Sequence, residues 1–258
     1  MIVSPALNGL YAITDTRLQR PDQLTERVRQ AIDGGARLIQ YRDKSADAGF
    51  RLTQANALAG LCRARGVALI VNDDVELAAA CGAQGVHLGK NDADPQTARK
   101  LLGDQAVIGV SCYNRLPLAL QAAQQGADYV AFGRFFPSRT KPKAVQASLD
   151  LVRMARQQLS LPIAAIGGIT AHNAPALLDA GVAMLAVVHG VFGAADIRQG
   201  TDRLGEQPKA LFLQRLPQFT LPNDHQAAWA GRAQRGERVD ERRKVLLLGQ
   251  PAHCNDHW

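Results

Sequence analysis

Residues 68–89 read "ALIVNDDVELAAACGAQGVHLG" and contain a strand, a helix and a second strand in one short stretch. The apolar run "ALIVND" predicts a buried strand, "VELAAACG" predicts a helix that ends at Gly82, and "GVHLG" predicts the next strand. A helix between two strands returns the chain to the end of the sheet where the first strand began, so the two strands run parallel. Strands that are apolar at nearly every position favour a parallel sheet covered on both faces.

The same strand–helix unit repeats from residue 9 to about residue 203. The other predicted strands are "GLYAIT", "ARLIQY", "VIGVS", "YVAFG", "PIAAIGG" and "MLAVVHG". The other predicted helices are "QLTERVRQAIDGG", "GFRLTQANALAGLCRARG", "PQTARKLLG", "LPLALQAAQQG", "SLDLVRMARQQL" and "NAPALLDAG". This alternation favours a closed (β/α)8 TIM barrel. An open doubly wound sheet is the alternative, but it needs a glycine-rich turn after the first strand, and "YAITDTRL" has no glycine.

The strand–helix rhythm stops after Leu204. We therefore predict a catalytic TIM-barrel domain over residues 1–203 and a poorly ordered, non-barrel C-terminal extension over residues 204–258. One amphipathic stretch of the extension, "KALFLQRLPQF", is a candidate for docking on the barrel. We expect that truncation after residue 203 leaves the activity in place.

Composition limits the classes of partner. The 258 residues are 47% hydrophobic and carry a formal charge of +7, but only 5% are aromatic, so stacking platforms for nucleic acid are not evident. Small anionic substrates fit this charge. The four cysteines show no metal spacing, no basic leader precedes an apolar core, and no apolar run approaches the ~20 residues of a membrane span. We predict a cytoplasmic protein without membrane insertion. The sequence is also compatible with a homo-oligomer.

Cationic side chains follow the predicted strands at the end where barrel enzymes place their active sites. Arg42 and Lys44 lie in "QYRDK", and Lys141 lies in the stiff loop "RFFPSRTKPK" after strand 6. Arg suits oxygen anions through two parallel hydrogen bonds, and Lys acts as a point charge on phosphate. Together they indicate a polyanionic ligand, although each alone is also compatible with a solvated surface charge.

Carboxylates follow two neighbouring strands. Asp73 stands beside Asn72 after strand 3, and Asp92 follows strand 4. Adjacent parallel strands bring these groups within reach of one ion, and a few oxygen ligands completed by water and phosphate are typical of Mg²⁺. The alternative is that "ND" after a strand is an ordinary helix N-cap.

A second anion site is indicated after strands 6 to 8. Gly167 and Gly168 allow backbone N–H groups to approach phosphate oxygens, and Ser138 and Thr140 add hydroxyl donors. A tight turn is the other explanation of the double glycine. His87, inside strand 4, is better explained as a hydrogen-bonded barrel residue than as a general base.

The ordered motifs "QYRDK", "VNDD", "GVHLGKND", "IGVS", "GRFFPSRTK", "AIGGI" and "AVVHG" strongly resemble the thiamine-phosphate synthase family over about residues 9–203. The resemblance implies a (β/α)8 barrel and a Mg²⁺-dependent transferase with two small phosphorylated substrates. Such an enzyme joins a hydroxymethylpyrimidine diphosphate to a thiazole phosphate and releases pyrophosphate.

The resemblance also implies residue roles. The pyrimidine diphosphate would be held by Gln40, Tyr41, Arg42, Asp43, Lys44, Asn72, Ser111 and Lys141, of which Arg42, Lys44, Ser111 and Lys141 are the predicted catalytic residues. The thiazole phosphate would be held by Ser138, Arg139, Thr140, Gly167, Gly168, Val188 and His189. The Mg²⁺ ligands would be Asp73 and Asp92. Two positions depart from the family pattern: Lys90 stands where Gln is usual, and His189 stands where Ser is common.

Two other functions stay open at this point. A thiazole tautomerase-like isomerase on the same fold would need a histidine acid/base and one phosphate pocket. A non-catalytic binder of phosphorylated thiamine precursors, acting as a carrier or regulator, has only Lys90 and the unusual C-terminal extension as support. Retention of Asp73, Asp92 and Lys141 favours the synthase.

Overall fold

The structure is a computed structural model that describes residues 7–138, 140 and 144–215, with side chains as far as residue 206. Two predicted site residues, Arg139 and Lys141, lie outside the described residues, as does the chain from residue 216 onward.

Within the described ranges, eight parallel strands form a closed barrel in sequence order. The strands are β1 (Gly9–Ile13), β2 (Leu38–Tyr41), β3 (Ala68–Asn72), β4 (Gly85–Leu88), β5 (Val107–Tyr113), β6 (Tyr129–Gly133), β7 (Ile163–Ile166) and β8 (Met184–Val187). The barrel closes where β8 pairs with β1, with Met184 opposite Gly9 and Val187 opposite Ala12. The predicted TIM barrel is confirmed.

Helices connect successive strands, and the last two described helices follow β8. They are α1 (Leu24–Asp33), α2 (Ala48–Arg65), α3 (Val75–Cys81), α4 (Pro95–Leu102), α5 (Leu116–Gln124), α6 (Leu149–Gln158), α7 (Ala174–Asp179), α8 (His189–Phe192) and α9 (Ile197–Arg215), with a 3-10 helix at Pro21–Gln23. The side chains of Asp47, Asp74, Asp94 and Ser148 accept the capping hydrogen bonds of α2, α3, α4 and α6. The helices predicted from periodicity correspond to α1–α7.

The strands are apolar at nearly every position because they have two buried faces. One cluster fills the barrel interior and includes Tyr11, Leu38, Ile70, Tyr129 and Met184. A larger cluster lies between the outer faces of the strands and the helices. Neither face of a barrel strand meets bulk water, so alternation of apolar and polar residues is not expected.

The described helical layer continues past the predicted domain boundary. The boundary between residues 203 and 204 falls inside α9, whose Thr201 and Leu204 are buried. This helix packs against α1, α7 and α8. The candidate docking segment overlaps α9 as far as Arg215, and its remainder lies outside the described residues. A search of the described residues finds no helix with the length and apolar character that crossing a membrane requires.

Candidate active site

A cavity of about 480 Å³ opens at the carboxyl ends of the barrel strands. The strands supply apolar walls, among them Ile13, Ala131, Ala164 and Ala186, which belong to the interior core. The predicted site residues on the cavity wall are Gln40, Arg42, Asn72, Ser111, Ser138, Thr140, Gly167, Gly168, Val188 and His189. The structure therefore brings members of both predicted anion sites around one cavity.

Five described residues of the predicted site are not on this cavity wall: Tyr41, Asp43, Lys44, Asp73 and Asp92. Tyr41 and Asp43 line a separate cavity of about 50 Å³. The Tyr41 hydroxyl donates to Gln54 Oε1 at 2.9 Å and approaches Asp43 Oδ2 at 3.3 Å. Burial raises the pKa of Tyr41, and the nearby Asp43 carboxylate raises it further. Gln40 and Arg42 line the larger cavity and Tyr41 and Asp43 do not, because alternate residues leave the end of a strand on opposite sides. Arg42 also reaches the smaller cavity.

Arg42 and Lys44 follow the same strand, β2. The Arg42 backbone N–H donates to Thr14 Oγ1 at 2.9 Å, which fixes the main chain where the guanidinium side chain leaves the strand. The Lys44 ammonium forms an ion pair with Asp73. Sequence reasoning missed Thr14, since a threonine at the end of a strand carries no distinctive signal.

The two predicted metal ligands are hydrogen-bonded to each other. Asp73 and Asp92 share a side-chain hydrogen bond, and Gly89 N–H donates to Asp92 Oδ2 at 2.7 Å. Burial raises the pKa of Asp73, but hydrogen bonds from Lys44 and Asp92 outweigh burial and hold this pKa below its usual value. Burial and the shared hydrogen bond both raise the pKa of Asp92. Two carboxyl groups this close resist simultaneous ionisation unless a cation joins them.

The N-cap explanation of these aspartates does not hold. Asp74 caps α3 by accepting from Leu77 N–H, and Asp94 caps α4 by accepting from Thr97 N–H. Asp73 and Asp92 are therefore not used as caps, and Asp73 has a left-handed backbone with φ of 65°.

The carboxylate pair of Asp73 and Asp92 fits Mg²⁺ better than it fits a metal whose ligands are all protein side chains. Among the described residues, no group of three or more His, Cys, Asp and Glu side chains is placed to hold a metal. Two neighbouring carboxylates suit Mg²⁺, which is usually bound through one or two carboxylates together with water and substrate phosphate. The exposed residue Lys90 follows β4 next to this pair, and its backbone N–H donates to the Tyr113 hydroxyl at 3.2 Å.

On the other side of the cavity, loops pack directly on glycine main chain. A Cβ at Gly167 would lie 2.4 Å from Arg134 Cβ, and one at Gly168 would lie 2.3 Å from the carbonyl oxygen of Pro137. Gly168 also has φ of +65°, and Asn173 Nδ2 donates to its carbonyl oxygen at 3.0 Å. The glycines are thus required by a turn and by a close loop contact, which together bring Ser138 to the cavity.

His189 and Val188 lie at the end of β8 on the same side of the cavity, and the His189 side chain is exposed. His87 is a hydrogen-bonded barrel residue, as predicted: its ring nitrogens lie 2.9 Å from the Tyr129 hydroxyl and 2.8 Å from Ser111 Oγ. Tyr11 lines the cavity from β1 and was not predicted, because a tyrosine in an apolar strand has the same pattern as core.

Comparison with known proteins agrees with this geometry. The family model described as thiamine monophosphate synthase matches residues 10–191. A thiamine-phosphate synthase from Nitrosococcus oceani is 49% identical over 220 residues, which cover 85% of this chain and 98% of that protein. A protein of the same name from Methylococcus capsulatus is 52% identical over 196 residues, which cover 76% of this chain and 87% of that protein. The solved thiamine phosphate pyrophosphorylase from Pyrococcus furiosus has a TM-score of 0.72 and 35% identity, and the match covers 80% of this chain and 97% of that one. This chain belongs to the thiamine monophosphate synthase family.

Proposed function

We propose that this protein is a thiamine-phosphate synthase. The reaction couples 4-amino-5-hydroxymethyl-2-methylpyrimidine diphosphate with 4-methyl-5-(2-phosphoethyl)thiazole and gives thiamine phosphate and pyrophosphate. One observation carries the proposal: a single apolar-walled cavity is lined by Arg42, Asn72 and Ser111 on one side and by a glycine-rich loop contact with hydroxyl groups on the other. The Lys44–Asp73 ion pair follows the same strands as the first group. Two phosphorylated substrates need two anion sites around one reaction space.

The reaction is a substitution at the carbon that joins the pyrimidine ring to the diphosphate. The carbon–oxygen bond breaks with its electron pair leaving on pyrophosphate, and the electron-rich aminopyrimidine stabilises the resulting cation. The thiazole nitrogen then donates its lone pair to form the new carbon–nitrogen bond. This sequence requires no protein nucleophile.

The protein's own residues would mainly neutralise the negative charge of the diphosphate. Arg42 and Lys44 would neutralise the departing diphosphate, and we extend this role to Lys141, which lies outside the described residues. Asp73 and Asp92 would hold Mg²⁺, which would supply further charge neutralisation on the diphosphate oxygens. Asn72 and Ser111 would donate to the same substrate from β3 and β5.

Water exclusion is the second requirement, because a pyrimidine-stabilised cation also reacts with water. The cavity walls supplied by Ile13, Ala131, Ala164 and Ala186 are apolar and carry no competing nucleophile. Gly167, Gly168, Ser138 and Thr140 would hold the thiazole phosphate so that its ring nitrogen faces the pyrimidine site. Val188 and His189 would complete that pocket, and Arg139 is retained as a prediction for it.

The full chain is tested with both phosphorylated precursors and Mg²⁺, while pyrophosphate and thiamine phosphate are measured separately. We expect equal amounts of the two products, with neither formed when one precursor or Mg²⁺ is omitted. No pyrophosphate, or pyrophosphate from the pyrimidine substrate without thiamine phosphate, would remove the synthase assignment. The second result would instead indicate a hydrolase, and unchanged precursors would favour a binder or an isomerase.

A further inference from the structure

A chain of buried hydrogen bonds crosses the barrel interior beneath the cavity. Gln40 Nε2 lies 2.7 Å from the Tyr11 hydroxyl, which lies 2.9 Å from the Tyr129 hydroxyl. The Tyr129 hydroxyl lies 2.9 Å from His87 Nδ1, and His87 Nε2 lies 2.8 Å from Ser111 Oγ. This series of hydrogen bonds connects β2, β1, β6, β4 and β5. The residues at its two ends, Gln40 and Ser111, are both predicted to bind the pyrimidine diphosphate.

Tyr129 is the central member, and it does not line the cavity. Its side chain is fully buried, while Gln40, Tyr11, His87 and Ser111 all reach the cavity wall. The ring packs edge-on against Tyr11 with centroids 6.0 Å apart and stacks on His87 at 5.6 Å. Tyr129 therefore contacts the residues of the site without contacting the substrate space.

Gly109 on β5 makes room for this ring. A Cβ at residue 109 would lie 2.0 Å from Tyr129 Cζ and 2.3 Å from its hydroxyl oxygen. Real Cβ atoms do not approach other heavy atoms this closely, so any larger residue would move the ring. The glycine and the tyrosine form a matched pair, one on each of two neighbouring strands.

The Gln40 amide sets a direction for the hydrogen-bonded series in which each member donates to the next and the last proton, on Ser111, faces the cavity. The Gln40 amide nitrogen can only donate, so Tyr11 accepts from it and donates to Tyr129. We infer that the series continues in the same direction, with Tyr129 donating to His87 Nδ1 and the Nε2–H tautomer of His87 donating to Ser111 Oγ. Burial raises the pKa of both tyrosines, which keeps their hydroxyl protons in place.

This direction fixes what the two ends offer to a ligand. The hydrogen bond from Gln40 Nε2 to Tyr11 keeps the amide from turning over, so the amide oxygen stays in place to accept a hydrogen bond from a substrate donor. Ser111 Oγ accepts from His87, so its own proton is left to donate to a substrate acceptor. The amino group of an aminopyrimidine is a donor that fits the Gln40 oxygen.

We propose that Tyr129 is a positioning residue that sets the donor and acceptor roles of Gln40 and Ser111 and thereby selects an aminopyrimidine over its oxo analogue. The inference rests on the proposed function, since it takes the pyrimidine diphosphate as the ligand of these two side chains. An oxo group would present an acceptor to the Gln40 oxygen, and the two acceptors would repel each other. Free rotation of Gln40 would remove that discrimination.

The variant Tyr129→Phe removes one hydroxyl and keeps the ring that fills the space beside Gly109. It leaves the Tyr11 hydroxyl and His87 Nδ1 without their shared partner, so Gln40 and Ser111 are free to reorient. By calorimetry we expect the affinity for the aminopyrimidine diphosphate to fall about tenfold, with no change in affinity for the thiazole phosphate. The ratio of affinities for the amino substrate and its 4-oxo analogue should fall by a similar factor.

The matched control is Thr201→Val, which also removes a buried hydroxyl. Thr201 Oγ1 donates to the Ile197 carbonyl oxygen at 2.6 Å in the outer helical layer, away from the cavity wall. Its loss should leave the amino-to-oxo ratio unchanged whatever it does to the melting temperature. If Tyr129→Phe folds poorly, Tyr11→Phe breaks the neighbouring link, and the same loss of selectivity is expected.

Two outcomes overturn the inference. One is an unchanged amino-to-oxo ratio in Tyr129→Phe and Tyr11→Phe, and the other is an equal loss of affinity for the pyrimidine and thiazole substrates. The proposed function is judged separately, from pyrophosphate and thiamine phosphate formed by the unaltered protein. A selectivity change without coupling in that protein would reject the synthase activity and support the positioning role, while coupling without a selectivity change would do the reverse.

Discussion

The side of the cavity that follows β2–β5 and the side that follows β6–β8 are built from different chemical groups. On the first side, charged and polar side chains such as Arg42 and Ser111 line the cavity, and the ion pair of Lys44 with Asp73 follows the same strands. On the second, loops approach the main chain of Gly167 and Gly168 so closely that no side chain fits there. We call these the side-chain half and the main-chain half of the site.

The difference explains how each half tolerates change. In the side-chain half, neighbouring aspartates have different structural roles. Asp74 and Asp94 cap helices, whereas Asp73 and Asp92 interact with each other. A substitution there removes one chemical group and leaves the backbone in place. In the main-chain half, the loop packs directly on the backbone of Gly167 and Gly168, so even one added methyl group is disruptive.

The largest effect is expected in the side-chain half, from Asp73→Asn. Asn tolerates the left-handed backbone that Asp73 adopts, so the loop should keep its shape while the site loses one anionic ligand. We expect Mg²⁺-dependent turnover to fall on the order of 10²- to 10³-fold, which is typical for loss of one electrostatic contact in a transition state. Steady-state kinetics at several Mg²⁺ concentrations measure this.

Asp94→Asn is the matched control, because Asn caps a helix about as well as Asp does. It makes the same chemical change in the loop that also carries Asp92, and it should leave turnover within about twofold of the unaltered protein. Equal turnover in Asp73→Asn and Asp94→Asn would contradict the assignment of Asp73 to the metal.

A smaller and more selective effect is expected in the main-chain half, from Gly168→Ala. The added Cβ would meet the Pro137 carbonyl oxygen at 2.3 Å and Phe136 Cβ at 2.8 Å, which displaces the loop that carries Ser138. We expect KM for the thiazole phosphate to rise by about one to two orders of magnitude, with KM for the pyrimidine diphosphate nearly unchanged.

Gly126→Ala separates close approach from backbone strain. Gly126 has φ of +85°, but a Cβ there would meet nothing within 4 Å. This variant should lose stability and keep both KM values. If Gly168→Ala raises both KM values together, the two halves are not independent in the way described above.

The smallest effect on the site is expected from shortening the chain after Arg215, which keeps every described element. Both KM values should stay the same. The structure changes our expectation for truncation after residue 203, because this cut divides α9 and removes Leu204, which is 2% exposed.

Loss of this buried leucine alone should cost about 2 kcal/mol of unfolding free energy. Since α9 packs against α7 and α8, which follow strands of the main-chain half, the thiazole phosphate site should weaken first. Melting temperatures and both KM values of the two truncated chains measure this. Identical behaviour of the chains that end at 203 and 215 would contradict the structural role of α9.

Sequence patterns predicted the barrel, which is confirmed, and they also predicted the residues of the side-chain half, because residue type carries the chemistry at these positions. Arg42, Asp73 and Asp92 were found from their places after strands. Strand alternation separates Tyr41 and Asp43 from Gln40 and Arg42, but the prediction kept the whole run together because the pattern alone does not say which side faces the cavity. Patterns could not predict α8 and α9, whose short or glycine-containing segments lack a clear period.

By itself, the sequence determined the parallel barrel, the order of its strands and the charged residues at their ends. These follow from local periodicity and from side-chain chemistry, and both can be read from the order of the residues. Only the tertiary structure decided that Gly109 makes room for Tyr129 and that Tyr129 joins Gln40 to Ser111 through Tyr11 and His87. Several of these contacts link residues far apart in sequence, and their distances arise only when the barrel closes and side chains from strands that are not neighbours, such as β1 and β6, meet in its interior.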